Sequence, residues 1–219
     1  MPKLRVHNFS ISLDGYGAGP NQGIDEPLGI GGEALHEWMF ATRHWHQRIG
    51  EDGGTEGIDN DFIRQGDERI GATIMGRNMF GPIRGDWPNE EWKGWWGSNP
   101  PYHHPVFVLT HHPRPSFEMD GGTTFHFVTE GIEDALERAF EASAGRDVRL
   151  GGGASTIQQY LGAGLVDEMH FAIAPILLGS GERLFENLQR IPEGYKCTEF
   201  VSSESAAHVR ISRTTKNGR

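Results

Sequence analysis

Apolar and polar positions largely alternate at the start of the chain. From Leu4 to Leu13 this alternation predicts a half-buried strand, which ends in a turn at Asp14-Gly15-Tyr16-Gly17. Short apolar runs bounded by glycine or polar residues predict further strands at 72–75, 106–110, 125–128, 148–150 and 169–174, and a closing antiparallel pair at 196–203 and 207–214.

Helical spacing appears between these strands. Apolar residues three and four positions apart predict an amphipathic helix from Glu33 to about Ile49. Shorter helices are predicted at 59–69 with an Asp or Asn cap, at 132–140 with Thr129 near the cap, and at 155–161 with a Ser155–Gln158 capping box.

Because strands alternate with helices and end in a hairpin, we expect an α/β fold. It has a mostly parallel sheet covered on both faces and an antiparallel edge. The chain shows no internal repeat or linker, so one domain is expected over residues 1–219.

The segment from Gly81 to Pro105 carries Trp87, Trp92, Trp95 and Trp96 among glycines and prolines, which predicts a long ordered loop. Its aromatic residues have two interpretations. They pack the loop onto the protein or form a subunit contact, or they form a hydrophobic lid over a flat substrate.

Composition excludes several function classes. The formal net charge of −10 weighs against a nucleic-acid-binding surface, which needs clustered positive charge. A mean hydropathy of −0.51, without a long apolar run, argues against a membrane span. The single cysteine, Cys197, excludes an internal disulfide and a cysteine-rich zinc site. We therefore expect a cytoplasmic protein with no membrane or nucleic-acid partner.

A glycine run follows one predicted strand and opens directly into a helix. It is Leu150-Gly151-Gly152-Gly153-Ala154-Ser155-Thr156. Backbone N–H groups without side chains beside them can approach a phosphate closely, and a helix N-terminus favours negative charge. The alternative is a tight strand-to-helix turn.

Two other strand ends carry groups suited to phosphate. Gly76-Arg77-Asn78 follows the strand at 72–75, and an arginine there can hold a phosphate in a bidentate way. Thr110-His111 follows the next strand. Its neighbouring pair His111-His112 suggests no metal site, because adjacent side chains point apart in an extended chain. Three such strand ends together favour a dinucleotide across the sheet edge.

The order of these motifs resembles the dihydrofolate reductase-like superfamily. Leu13-Asp14-Gly15, the segment 74–77, the segment 108–110 and the glycine run come in that order. The segment 164–181 is similar to the reductase domain of bacterial riboflavin-biosynthesis deaminase-reductases and their stand-alone relatives. The resemblance implies the dihydrofolate reductase-like fold and NADPH as the cofactor. It also implies hydride transfer to a small heterocyclic substrate, and a homodimer.

The resemblance also implies roles for individual residues. Gly76, Arg77 and Asn78 face the cofactor phosphates, with Arg77 on the adenosine 2′-phosphate, and Thr110 and His111 lie near the adenosine ribose phosphate. Two further sets are implied, one around the pyrophosphate (Leu150, Gly152, Gly153, Ala154, Ser155 and Thr156) and one beside the nicotinamide (Ser12, Gly17 and Ala18). Asp14, Glu37 or a water delivers the proton that the reaction needs.

Departures from the family pattern bear on the substrate. Neither Glu33 nor Glu37 matches the acidic residue that binds the pterin, and a family threonine falls on Ala172. We therefore expect a reductase of the 5-amino-6-(5-phosphoribosylamino)uracil type. The alternatives are a dihydrofolate or pteridine reductase and a non-catalytic nucleotide-binding protein on the same fold. One cysteine cannot supply the zinc site of the deaminase.

Overall fold

A nine-stranded sheet forms the centre of the protein in the computed structural model, which describes residues 1–186, 188 and 194–214. The single domain predicted over residues 1–219 therefore extends beyond the described residues. The strands are β1 Leu4–Ser12, β2 Tyr16–Ala18, β3 Ile70–Gly76, β4 Pro105–Leu109, β5 Phe117–Glu118, β6 Thr124–Val128, β7 Asp147–Gly152, β8 Glu168–Ala174, β9 Glu182–Arg183, β10 Tyr195–Ser202 and β11 Ala207–Arg213.

The strand order is β10-β11-β8-β1-β7-β3-β4-β6-β5. The six strands from β8 to β6 are parallel to their neighbours, whereas β10, β11 and β5 pair antiparallel. This confirms the predicted mostly parallel sheet and its closing hairpin. Since parallel strands end at the same edge, the three motifs that follow β3, β4 and β7 share that edge.

Helices cover both faces of the sheet. They are α1 Glu37–Phe40, α2 Arg43–Arg48, α3 Ile58–Asp67, α4 Arg77–Phe80, α5 Ile132–Ala142 and α6 Ala154–Gly162, with a 3-10 helix at Gly32–His36. One face packs α5 and α6 into a core that includes Ile74 and Ile157. The other face packs Trp38 of α1 and Ile63 of α3 onto Ala172 of β8. No helix in the described part of the chain is long and apolar enough to cross a membrane.

The predicted helix from Glu33 to Ile49 is interrupted at Thr42. This residue is extended, and its hydroxyl accepts a hydrogen bond from the backbone N–H of Trp45, which starts α2 anew. Backbone bonds between Ala41, Arg43 and Thr55 also hold the acidic glycine loop against this break. The spacing of apolar residues continues through the break, which is why periodicity did not reveal it.

The predicted Asp or Asn cap of the helix at 59–69 and the predicted capping box at Ser155 are wrong, whereas Thr129 is two residues before the observed cap of α5. The capping residues are Gly57, Gly131 and Gly153, and none makes a side-chain cap hydrogen bond. Gln158, expected in a capping box, donates to the backbone oxygens of Arg183 and Leu184. The side chain of Gln158 thus makes a tertiary contact instead of the local cap that the sequence pattern predicted.

Residues 81–104 contain no helix or strand, as predicted for the tryptophan-rich segment. Trp87, Trp92 and Trp96 pack on a core cluster that includes Phe80 and Phe125. Trp87 and Trp92 therefore pack the segment onto the protein, whereas Trp96 packs on the same cluster and also lines a cleft together with Trp95. The short strands β2, β5 and β9 were not predicted, since two or three residues show no periodicity.

Candidate functional site

A cleft of about 1040 Å³ lies beside the glycine run. Its walls come from the middle of β1, from β2, from the segment around α1 and α2, from residues 95–102, and from the end of β7. The apolar and aromatic side chains that line it are Phe9, Pro27, Leu28, Met39, Phe40, Trp45, Ile49, Met79, Trp95, Trp96, Pro101 and Tyr102. A cleft of this size and character suits a small organic ligand.

The glycine run forms a bare backbone wall at one side of this cleft. Gly152 has φ +135°, which side chains rarely allow, and a Cβ there would lie 3.3 Å from the ring of Phe9. A Cβ on Gly76 would lie 2.2 Å from Thr156 Oγ1, so β3 approaches the start of α6 closely. The peptide between Gly152 and Gly153 is cis. The first N–H groups of α6 have no partner within the helix, and a phosphate is a suitable acceptor for them.

Six predicted cofactor residues meet in the cleft lining. Gly17 and Ala18 of β2, Asn78 of α4, and the run Gly152-Gly153-Ala154 come from distant parts of the sequence. Four other predicted cofactor residues, one at the end of β1 and three around the run, do not line the cleft. Ser12, Leu150 and Thr156 are buried, and Ser155 is exposed.

The predicted adenosine-side residues lie outside the cleft, at the ends of β3 and β4. The Arg77 guanidinium lies 3.8 Å from the centroid of the Trp87 ring, and its Nε and Nη2 are buried with no hydrogen-bond partner among the described residues. Burial and the nearby Arg84 lower its pKa. Thr110 Oγ1 accepts from the N–H of His112, whereas His111 is exposed. An unpartnered guanidinium of this kind suits an anion.

Neither predicted proton donor lines the cleft. The Asp14 carboxylate accepts hydrogen bonds from Ser12 Oγ at 2.6 Å and from the backbone N–H groups of Leu178 and Gly179. The bond from Ser12 is the main reason that the pKa of Asp14 falls to about 2. Glu37 is exposed at the start of α1. Asp14 therefore ties the end of β1 to the segment after β8, and Glu37 is exposed outside the cleft lining.

Glu182 is a cleft residue that the sequence did not reveal. It is the single carboxylate among the described lining residues, and its backbone pairs with Ala18 where β2 meets β9. Its Oε2 lies 3.6 Å from where a Cβ on Gly153 would be. Because β9 has two residues, no pattern pointed to it.

Two arginines that the sequence analysis also missed line the cleft. Arg149 Nη2 donates to the backbone oxygen of Gly66 and to Asp67, and Arg48 lies 3.5 Å from the same carboxylate. Burial raises the pKa of Asp67, but the two guanidinium groups outweigh it and hold that pKa at about 2. Beside them, burial raises the pKa of Tyr102. Two positive groups thus share one carboxylate at this part of the cleft.

The described residues contain no cluster of three or more His, Cys, Asp or Glu side chains that could hold a metal ion. Besides Glu182, Arg48 and Arg149, the cleft has further titratable groups. His36 and His7 line it as well, and burial lowers the pKa of His7 to about 4.

Solved structures with similar folds come from riboflavin-related proteins. A putative riboflavin biosynthesis protein from Shewanella sp. PV-4 matches with a TM-score of 0.55 and 23% identity, over 96% of this chain and 97% of that one. The deaminase/5-amino-6-(5-phosphoribosylamino)uracil reductase of Thermotoga maritima matches with a TM-score of 0.53 and 13% identity, over 97% of this chain and 56% of that one. At these identities the matches show the fold, which is the one that the motifs predicted.

Comparison with known sequences and family models agrees with these structural matches. The uncharacterized protein YyaP of Bacillus subtilis is 34% identical over 64 residues, which are 29% of this chain and 34% of that protein. The match thus spans about a third of that curated relative. The family model of the RibD C-terminal domain matches residues 2–207, nearly the whole chain. The protein therefore belongs to the RibD C-terminal domain family, which is the reductase family that its motifs predicted.

Proposed function

We propose that the protein is an NADPH-dependent reductase that transfers a hydride to a small heterocyclic substrate of the 5-amino-6-(5-phosphoribosylamino)uracil type. One observation carries the proposal. The glycine wall at the start of α6 opens into the same cleft as the aromatic side chains, so a phosphate-bearing cofactor and a flat substrate have adjoining places. Membership of the reductase family supports the same conclusion.

The cofactor side uses backbone and arginine groups. In the proposal, the N–H groups at the start of α6 and the Gly152–Gly153 backbone hold the pyrophosphate, and Gly17 and Ala18 border the nicotinamide. Arg77 holds the 2′-phosphate, which gives its unpartnered nitrogens an acceptor. NADPH supplies the hydride when it is bound, and the protein supplies binding, orientation and charge.

The substrate side uses aromatic walls and a positive end. Trp45 and Trp96 offer apolar ring surface on which a flat heterocycle can stack. Arg48 and Arg149 share the charge of Asp67 and leave an excess of positive charge in the cleft, which suits a substrate that carries a phosphate. Apolar walls also exclude water from the site and thereby strengthen these charge interactions.

The proton that accompanies the hydride requires a titratable group in the cleft. Glu182 lies beside Gly153 and Ala18, on the side proposed for the nicotinamide, so we assign the proton transfer to Glu182 in place of Asp14 and Glu37. A carboxyl group here must be re-protonated from solvent after each turnover. Glu182→Gln should therefore lower kcat while NADPH still binds.

Calorimetry and NADPH oxidation test the proposal together. We expect saturable NADPH binding at micromolar or lower concentration, and NADPH oxidation in the presence of 5-amino-6-(5-phosphoribosylamino)uracil. Absence of saturable binding by any dinucleotide would overturn the proposal. Oxidation with dihydrofolate alone would indicate a folate reductase, and binding without oxidation of either substrate would indicate a non-catalytic protein.

A further inference from the structure

A line of buried side chains runs from the surface of α3 through β11 and β8 to β1. The backbone N–H of Asn8 is 3.2 Å from His170 Nδ1, His170 Nε2 is 3.1 Å from His208 Nδ1, and His208 Nε2 is 2.8 Å from Asp59 Oδ1. Both imidazoles are fully buried, while the Asp59 carboxylate is partly exposed. The reductase chemistry described above uses none of these groups.

The direction of each hydrogen bond follows from one fixed donor. The backbone N–H of Asn8 can only donate, so His170 Nδ1 accepts and His170 Nε2 carries the hydrogen. That hydrogen is donated to His208 Nδ1, and His208 Nε2–H is donated to Asp59. Both histidines are thus neutral and have one tautomer, which agrees with the lowered pKa that burial gives His170.

Aromatic packing removes the freedom of the two imidazoles. The ring of Phe62 stacks on both, with centroid distances of 4.4 Å to His170 and 4.3 Å to His208. Trp38 meets both rings edge-on and donates its Nε1–H to Ser10 Oγ of β1. The hydrogen-bonded line is therefore rigid as well as fully partnered.

The line ends at an irregular residue of β1 that faces the cleft. Asn8 has φ +61°, and the pairing of β1 with β8 shifts between Val6 and Phe9, so His7 and Asn8 form a bulge. A Cβ on Gly66 of α3 would lie 2.1 Å from Asn8 Nδ2, so only glycine lets α3 pack on this bulge. Asn8 lines the cleft, and its Oδ1 has no partner among the described residues.

We propose that Asp59, His208 and His170 form a positioning relay that fixes the Asn8 bulge, and that Asn8 is a specificity-determining residue of the cleft. Its carboxamide carries a donor and an acceptor side by side, which matches the ring amide (–NH–C=O) edge of a heterocyclic substrate. Because β1 pairs with β7 only at Leu4 and Arg5, and its pairing with β8 is interrupted between Val6 and Phe9, two buried histidines and a carboxylate hold the bulge where strand pairing does not. Their use is explained if the placement of Asn8 matters for the substrate.

The experiment rests on the proposed function and compares four single variants and one double variant by steady-state kinetics with NADPH and 5-amino-6-(5-phosphoribosylamino)uracil. Asn8→Gly keeps the positive φ and removes the carboxamide. His170→Leu removes the acceptor but keeps the packing volume, and His170→Asn retains an acceptor for the Asn8 N–H. His126→Leu is the control, since His126 is a partly buried histidine of β6 that does not line the cleft.

We expect Asn8→Gly and His170→Leu each to raise KM for the substrate about 10-fold, with NADPH affinity unchanged. His170→Asn should recover most of the loss, and His126→Leu should have no effect. In the Asn8→Gly background, His170→Leu should raise KM no further, because the relay acts through Asn8. Additive effects in the double variant, or an unchanged KM in either single variant, would overturn the inference.

A second measurement separates the relay from the proposed function. In the ¹⁵N NMR spectrum of the wild-type protein, the Asn8 amide should be protected from hydrogen exchange, and His170→Leu should remove that protection. Loss of protection without substrate turnover in the wild type would refute the proposed substrate and leave the relay standing. An Asn8 amide that exchanges freely in the wild type would refute the relay itself.

Discussion

Replacing Arg77 by alanine should weaken NADPH binding far more than NADH binding. The guanidinium nitrogens Nε and Nη2 are buried without a partner, so nothing in the described protein now satisfies them. A 2′-phosphate would receive charge-assisted hydrogen bonds of roughly 1.5–3 kcal/mol from them. That range corresponds to a loss of about 10- to 100-fold in NADPH affinity. NADH lacks this phosphate and should change little.

The same substitution should hardly change the free energy of unfolding. Arg77→Ala gives up the contact of the guanidinium with Trp87, which is 3.8 Å from the ring centroid and contributes about 0.5–1 kcal/mol. It also relieves the cost of burying unpartnered N–H groups, and this offsets the loss. A large loss of NADPH binding at an unchanged melting temperature is therefore the signature of an anion site.

Dissociation constants for both dinucleotides, measured by calorimetry for the wild type and Arg77→Ala, provide the test. Arg138→Ala is the matched control because Arg138 lies on α5, pairs with Asp134 and does not line the cleft. It changes the net charge by the same amount, so it corrects for long-range electrostatics. If the ratio of NADPH to NADH affinity stays the same in Arg77→Ala, then Arg77 is not the 2′-phosphate anchor and the adenosine end lies elsewhere.

Three further predictions concern stability and assembly. Burial lowers the pKa of His7 from 6.5 to about 4, so the folded state excludes a proton that the unfolded chain binds. The free energy of unfolding should therefore decrease by about 3 kcal/mol as the pH drops from 6.5 to 4. Urea unfolding of His7→Gln should show a smaller decrease over the same pH range. Gly76→Ala places a methyl group 2.2 Å from Thr156 Oγ1 and should lower the free energy of unfolding by roughly 1–3 kcal/mol. Thermal unfolding of the double variant Gly76→Ala/Thr156→Ala should show that part of this loss is recovered. An equal loss in the single and the double variant would contradict the clash. We predict a homodimer in solution, and light scattering that gives a monomer at tens of micromolar protein would remove that prediction.

The sheet and its cofactor-side motifs could be predicted because burial imposes their pattern. Fully buried strands such as β3 read as apolar runs, and a glycine run between a strand and a helix leaves the backbone open either to a ligand or to a tight turn. The predicted strands therefore fall within about two residues of the observed ones, and six of the predicted cofactor residues meet in the cleft. Buried strands and glycine runs are defined by residues that are adjacent in the sequence, so a single sequence is enough to predict them.

The substrate side and the proton donor could not be predicted in the same way. Arg149 lies within a buried strand and reads there as an irregularity, and its partner Asp67 is far away in sequence. Asp14 looked like an acid because of its motif, but backbone N–H groups of the segment after β8 take up its carboxylate. These assignments depend on which distant segments meet, and nothing in the local pattern encodes that.

The two walls of the cleft come from different kinds of structure, and this determines where substitutions are tolerated. The glycine wall is part of the sheet edge, where an added Cβ meets Phe9 or Thr156, so it tolerates little change. The opposite wall comes from irregular residues 95–102 and the short helices α1 and α2, whose exchange leaves the strand pairing intact. Substitutions and insertions there can alter which substrate is accepted while the cofactor site is retained. Variation of this wall, together with Asn8, can thus change the specificity of the proposed reductase without rebuilding the sheet.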